Sequence, residues 1–147
     1  MLQLNSSLLV IMPEKEGTLT LDIHGKLKHR DITPLKFLQE RCLQNGCSLE
    51  GREEAFRYLT NHIQKSPVLV NESPELWFPT LSKMNQDCMW VNWYRVIDAK
   101  AVTNNECVVS FDGGYDIRLN CSIRTCQKQL ERCLLFIKKL QENKEQN

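Results

Sequence analysis

An α+β fold is expected from this chain: an N-terminal β-hairpin, two short helices, a mainly antiparallel β-sheet and a C-terminal amphipathic helix. Three features predict it. Residues 8–23 hold two short apolar or alternating runs around a charged turn. Residues 33–63 carry apolar positions three and four apart behind two capping residues. From Pro67 to Leu119 short β-type runs alternate with turn residues, and a stripe at helical spacing follows.

With 147 residues the chain is most simply one domain, 1–147, ending in a polar tail at 141–147. Residues 8–12 read as a buried strand closed by Pro13 and the turn Glu14-Lys15-Glu16-Gly17. In residues 18–23, Leu19, Leu21 and Ile23 share one face of a second strand. Residues 26–31 read as a charged connection. Thr33 then caps a helix with Pro34 at its first position, Leu35, Leu38 and Cys42 facing inward, and Asn45-Gly46 stopping it.

Ser48 caps the second helix, whose stripe is Ala55, Phe56, Leu59 and Ile63, with Glu53 and Arg57 four apart on the wet face. Strands are expected at 68–70, 76–78, 89–91, 94–97, 107–111 and 115–119, the last two joined by Asp112-Gly113-Gly114. Asn120 or Ser122 caps the terminal helix. Its stripe is Ile123, Cys126, Leu130, Cys133, Ile137 and Leu140, widened by Leu134.

A formal net charge of +1 gives no general attraction to nucleic acid, so such a role needs a local basic face. Between residues 118 and 140, Arg118, Arg124, Lys128, Arg132, Lys138 and Lys139 meet only Glu131. Lys26, Lys28, His29 and Arg30 form a second cluster, opposed by Asp22 and Asp31. Either group reads as a solvated face or as a surface for phosphates. Arg52 stands in a first helical turn, where the helix dipole slightly disfavours a cation, so it reads either as a solvated residue of a capped helix start or as a phosphate or groove contact. The three tryptophans lie within residues 77–93, where Lys83 is the one cation in reach, so core packing is favoured over a base-stacking platform.

Seven cysteines without a secretory segment read as free thiols in a reducing cytosol. Cys42-x4-Cys47 and Cys121-x4-Cys126-x6-Cys133 lack the short paired spacing of structural zinc sites. No metal, cofactor or catalytic residue is expected. No run approaches a membrane span, and there is no glycine-rich phosphate loop.

Four signatures occur in fixed order: Cys42-x3-Gly46-x-Ser48-x2-Gly51-Arg52, Lys65-Ser66-Pro67-Val68-Leu69-Val70, Trp77-Phe78-Pro79-Thr80-Leu81-Ser82 and Cys88-Met89-Trp90-Val91-Asn92. Together they resemble the competence transcription factor (ComK) family, with further likeness at Asn5 to Pro13, at Thr33-Pro34-Leu35 and in the hairpin ending Asp112-Gly113-Gly114. The resemblance implies a cytoplasmic bacterial activator, not an enzyme, that forms dimers or higher homo-oligomers. It implies binding to paired AT-rich boxes of double-stranded DNA upstream of DNA-uptake genes, largely through the minor groove. Arg52, which matches the family's Gly-Arg signature, is a candidate DNA-facing or fold-defining residue, and Arg118, Arg124, Lys128 and Arg132 are the other candidate DNA-facing residues.

The chain departs from the family pattern at Gln44-Asn45, where an aromatic is common, and at Cys47, where Ser is usual. Longer members carry a C-terminal tail associated with adaptor-mediated proteolysis and full activation. Its absence after Leu140 counts against a proteolytic adaptor as partner. A short paralogue that binds or dimerises without activating, a protein-interaction module using the terminal helix, and a zinc- or cysteine-dependent enzyme are the alternatives.

Overall fold

The computed structural model describes residues 7–72 and 74–146; Asn5 and Ser6 of the segment likened to the family's opening strand, and Asn147 of the tail, lie outside them. The first hairpin forms as expected. Strand β1 (Leu8–Glu14) pairs antiparallel with β2 (Gly17–Asp22) across Lys15-Glu16. Gly17 is dictated by crowding, since a Cβ there would lie 2.3 Å from the Arg30 carbonyl oxygen and 2.7 Å from the His29 ring.

That crowding comes from β3 (Leu27–Arg30), which pairs with β2 where a charged connection was expected. All four of its residues are exposed, so no burial alternation marks it. Charged side chains on an outer strand also discourage pairing with a foreign edge.

Helix α1 (Pro34–Gln44) starts at Thr33, whose hydroxyl accepts from the Lys36 amide at 3.2 Å, and buries Phe37, Leu38 and Cys42. Leu35 is only partly buried. Helix α2 (Leu49–Thr60) starts at Ser48, whose Oγ accepts from the Gly51 amide at 3.0 Å. A Cβ on Gly51 would sit 2.9 Å from that Oγ, which explains the Ser-x-x-Gly spacing.

Two expectations for α2 are corrected. Asn61 takes a left-handed φ of 62° and ends the helix, leaving Ile63 71% exposed instead of on the stripe. Glu53 is not on the wet face but buried, because Lys83 reaches its carboxylate at 2.8 Å.

Strands β4 (Val68–Asn71), β5 (Glu75–Pro79) and β6 (Trp90–Asn92) complete a six-stranded antiparallel sheet in the order β3-β2-β1-β6-β5-β4. One turn of 3-10 helix, Trp93–Arg95, replaces the expected start of a strand at Tyr94. Strand β7 (Val96–Thr103) then runs past Ile97, where it was expected to stop, and pairs with β8 (Glu106–Phe111), which pairs with β9 (Tyr115–Leu119). The β architecture is therefore two antiparallel sheets.

Both faces of the larger sheet are covered. Ile11, Val68, Val70, Trp77 and Trp90 pack with Phe37, Leu38 and Cys42 of α1 and Leu49 of α2. Leu9, Leu69, Leu76, Phe78 and Val91 pack with Phe56 of α2, the inner side chains of the smaller sheet, and Cys126, Cys133 and Phe136 of the terminal helix. That helix, α3 (Ile123–Gln146), is capped by Ser122, whose Oγ accepts from the Thr125 amide at 3.1 Å. It continues through most of the polar tail, to Gln146. Gln, Glu and Lys are good helix formers, so the loss of apolar residues does not end the helix.

Candidate nucleic-acid interface

Helix α3 divides its side chains by period. Cys126, Gln129, Cys133 and Phe136 face the core. On the opposite side Arg124 and Lys128 are exposed and Arg132 partly so, at positions i, i+4 and i+8 of one row. Lys138 and Lys139 extend that outward side, which carries Glu131, Glu142 and Glu145 as its carboxylates. Five cations against three carboxylates leave it with a positive excess in a nearly neutral chain.

The row continues onto a neighbouring loop. Arg132 Nη1 donates to the Gln64 carbonyl at 3.2 Å, while Gln129 Nε2 donates to the carbonyls of Lys65 at 2.9 Å and Pro79 at 3.0 Å. These bonds pin residues 64–66 beside α3. They also hold Lys65 at φ 50°, a left-handed conformation uncommon outside glycine. Beyond the loop lies a cavity of about 360 Å3 whose lining includes Arg57, Lys65, Ser66 and Lys83. Glu53, at its wall, pairs with Lys83 at 2.8 Å and Arg57 at 4.0 Å.

The remaining candidates lie elsewhere. Arg118 alternates with Ile117 and Leu119, which face the core, so it projects from the face of the smaller sheet opposite α3. It lies 3.7 Å from Glu106. Arg52 and Arg57 occupy opposite flanks of the buried stripe of α2. The Nε of Arg52 is buried without a hydrogen-bond partner, and its charge acts on the Cys42 thiol inside the α1–α2 contact. In the β3 cluster, His29 contacts both Glu14 and Asp31, and Arg30 reaches Glu40 at 3.3 Å. The Asp31 and Glu14 carboxylates raise the His29 pKa above its ordinary value.

The family description "ComK protein" matches residues 3–145. The chain belongs to the ComK family. It is also 26% identical over 144 residues to the competence transcription factor of Bacillus subtilis (strain 168), covering 95% of this chain and 75% of that protein. No solved structure matches it.

In this ComK family member most signature side chains are packed inside. Cys42, Trp77, Phe78 and Trp90 are core residues. Thr80 is buried too, and its Oγ1 accepts from the Met89 amide at 3.0 Å, joining the third signature to the fourth. Cys88 Sγ donates to the Leu81 carbonyl at 3.3 Å. Gly46 adopts φ 79° just past α1, where only glycine is unstrained.

All seven thiols are free, and burial raises the pKa of Cys42 and Cys121 to about 12 each. Among the described residues no group of three or more His, Cys, Asp or Glu could hold a metal ion, and no helix is long and apolar enough to cross a membrane. The grouping of Arg57, Lys65, Ser66 and Lys83 was not foreseen. Lys65-Ser66 was visible as a signature, but its neighbours come from two other segments.

Proposed function

We propose that this ComK family member is a DNA-binding transcriptional regulator of competence genes that acts in the bacterial cytoplasm without catalysing a reaction. The supporting observation is the row Arg124, Lys128 and Arg132 on the outward side of α3, joined to residues 64–66 by the Arg132–Gln64 bond. The name of the Bacillus subtilis relative supports the same reading. The target is AT-rich duplex entered largely through the minor groove, where A-tracts narrow the groove and attract inserted Arg and Lys.

Titration of AT-rich and GC-rich duplexes at several salt concentrations tests this. AT-rich duplex is expected to bind more tightly, with affinity falling as salt rises. Arg124→Ala with Lys128→Ala should lower the log–log salt slope by about 2, one unit for each lost phosphate contact. Arg118→Ala should leave it in place. No retention of either duplex at low salt would overturn the reading.

A groove between β7 and α3 favours self-association as a second element. Ile97 is 70% and Leu134 45% exposed along it, beside Trp93, Val96 and Leu130. Large apolar side chains left in water at adjoining positions fit a contact with a second copy. Ile97→Asp should then shift sedimentation toward the monomer with the fold intact. A wild type that is already monomeric across the concentration range would end this part.

A further inference from the structure

We propose that the cavity between the end of α2 and the residue 64–66 loop is a phosphate cradle, built from Arg57, Lys65, Ser66 and Lys83. In the DNA-binding reading, on which this inference rests, it takes one backbone phosphodiester beside the α3 row.

The first ground is Ser66. It is 4% exposed and lines the cavity, yet its Oγ has no hydrogen-bond partner. A buried hydroxyl left unpaired costs stability, and nearly all such groups in folded proteins find a partner. An anionic oxygen entering the cavity would supply one.

The second ground is the charge around that hydroxyl. The Lys83 ammonium gives one of its three N–H groups to Glu53 at 2.8 Å, leaving two to donate. Arg57 stands 4.0 Å from the same carboxylate, which holds both cations at the cavity wall. Lys65 contributes a third cation and has no ion pair among the described residues. Three cations against one buried carboxylate leave an excess of positive charge, as a phosphate requires.

The third ground is rigidity. Gln129 and Arg132 occupy the carbonyls of Lys65 and Gln64, so the loop is fixed before any ligand arrives. The left-handed Lys65 backbone belongs to that fixed arrangement. Preorganised donors bind an anion without paying to order themselves. The same bonds set the cradle next to Arg132, so one strand of a duplex can meet both.

The test uses the full chain in two arms. In the first, inorganic phosphate is titrated at constant ionic strength against chloride while amide resonances are followed by NMR. In the second, AT-rich duplex is titrated by fluorescence anisotropy. Two variants spare the fold: Ser66→Ala removes a hydroxyl that bonds to nothing, and Lys65→Asn keeps a residue type that tolerates positive φ. Wild-type protein should show saturable phosphate shifts at Lys65 and Ser66. Each variant should weaken both phosphate and duplex binding by about fivefold, the loss of one hydrogen bond or ion contact to a charged group.

A purely structural role for Ser66 predicts unchanged binding in both arms. That result, if repeated in Lys65→Asn, overturns the cradle. The α3 variant Arg124→Ala with Lys128→Ala separates the two claims: it should weaken duplex binding yet leave the phosphate shifts intact. If wild-type protein retains no duplex at low salt but still binds phosphate through Ser66, the DNA reading falls and the cradle stands as a site for free phosphate.

Discussion

Arg41, in the last turn of α1, grips Glu75 at the start of β5 with two parallel hydrogen bonds, Nε to Oε1 at 2.8 Å and Nη2 to Oε2. Glu75 is 3% exposed, and its Oε1 also accepts from Trp77 Nε1 at 2.9 Å. A helix and the sheet beneath it are thus tied through one buried carboxylate. Arg41→Met would strand that charge and should destabilise the protein by about 3 kcal/mol. Adding Glu75→Gln should recover most of the loss, because the amide remains an acceptor for Trp77 and carries no charge. Urea unfolding of both singles and the double gives the coupling. Strictly additive losses would mean the pair contributes nothing.

Asn92 is fully buried and satisfies four backbone groups. Its Oδ1 accepts from the amides of Leu76 and Tyr94, each at 3.3 Å, and its Nδ2 donates to the carbonyls of Leu8 at 3.0 Å and Pro74 at 2.8 Å. These bonds join β1, the approach to β5 and the 3-10 turn leading to the second sheet. Asn92→Ala leaves those groups without this partner and should cost about 3 kcal/mol or more. Asn92→Asp keeps the shape but turns a donor into an acceptor facing two carbonyls. It should therefore be no milder. Thermal unfolding checks both, and an Asp variant as stable as wild type would refute the argument.

The thiols should separate by reactivity. Burial and then the neighbouring Cys47 thiol push Cys42 up to about 12, burial does the same for Cys121, and Cys126 and Cys133 are raised as well. A protonated, enclosed thiol is a poor nucleophile. Cys47 is only partly buried, and its Sγ donates to the Cys42 carbonyl at 3.3 Å. A disulfide reagent at pH 8 should label one thiol quickly in the native state and all seven after unfolding. Cys47→Ser should abolish the fast phase. Two or more fast native thiols would show that the core opens more readily than its packing implies.

What could be read from the sequence was local. Thr33 with Pro34, Ser48 and Ser122 mark helix starts through their own side-chain chemistry, and Asp112-Gly113-Gly114 marks a hairpin through φ alone. Strand β3 was missed because all four of its residues face water. Glu53 was misplaced because its charge suggests solvent, whereas the partner that makes its burial favourable, Lys83, lies thirty residues away. Gln129 was missed for the same kind of reason: two carbonyls from distant segments make its burial favourable.

The candidate site divides along the same line. Arg124, Lys128 and Arg132 share a helix, so their alignment follows from spacing. Arg118 is close in sequence, but strand alternation turns it to the other side of the smaller sheet. The cradle draws on α2, the residue 64–66 loop and Lys83, which only the assembled sheets bring together.

His29 offers a pH test of the outermost strand. Its ring contacts Asp31 and Glu14, and those hydrogen bonds raise its pKa above 6.5. The folded protein therefore holds the proton more tightly than the unfolded chain does. This contribution to stability is complete below about 6.5 and is lost as pH rises through the higher folded value. Asp31 is two residues along the chain, whereas Glu14 closes β1, so the protonated ring ties β3 to the strand that β2 also pairs with. Proton NMR of the His29 ring should give a midpoint above 6.5, lowered by Asp31→Asn and by Glu14→Gln. Amide exchange in β3, corrected for intrinsic rate, should quicken as pH rises through that midpoint, and His29→Gln should remove the pH dependence. A midpoint at or below 6.5 would show that the two carboxylates do not hold the proton.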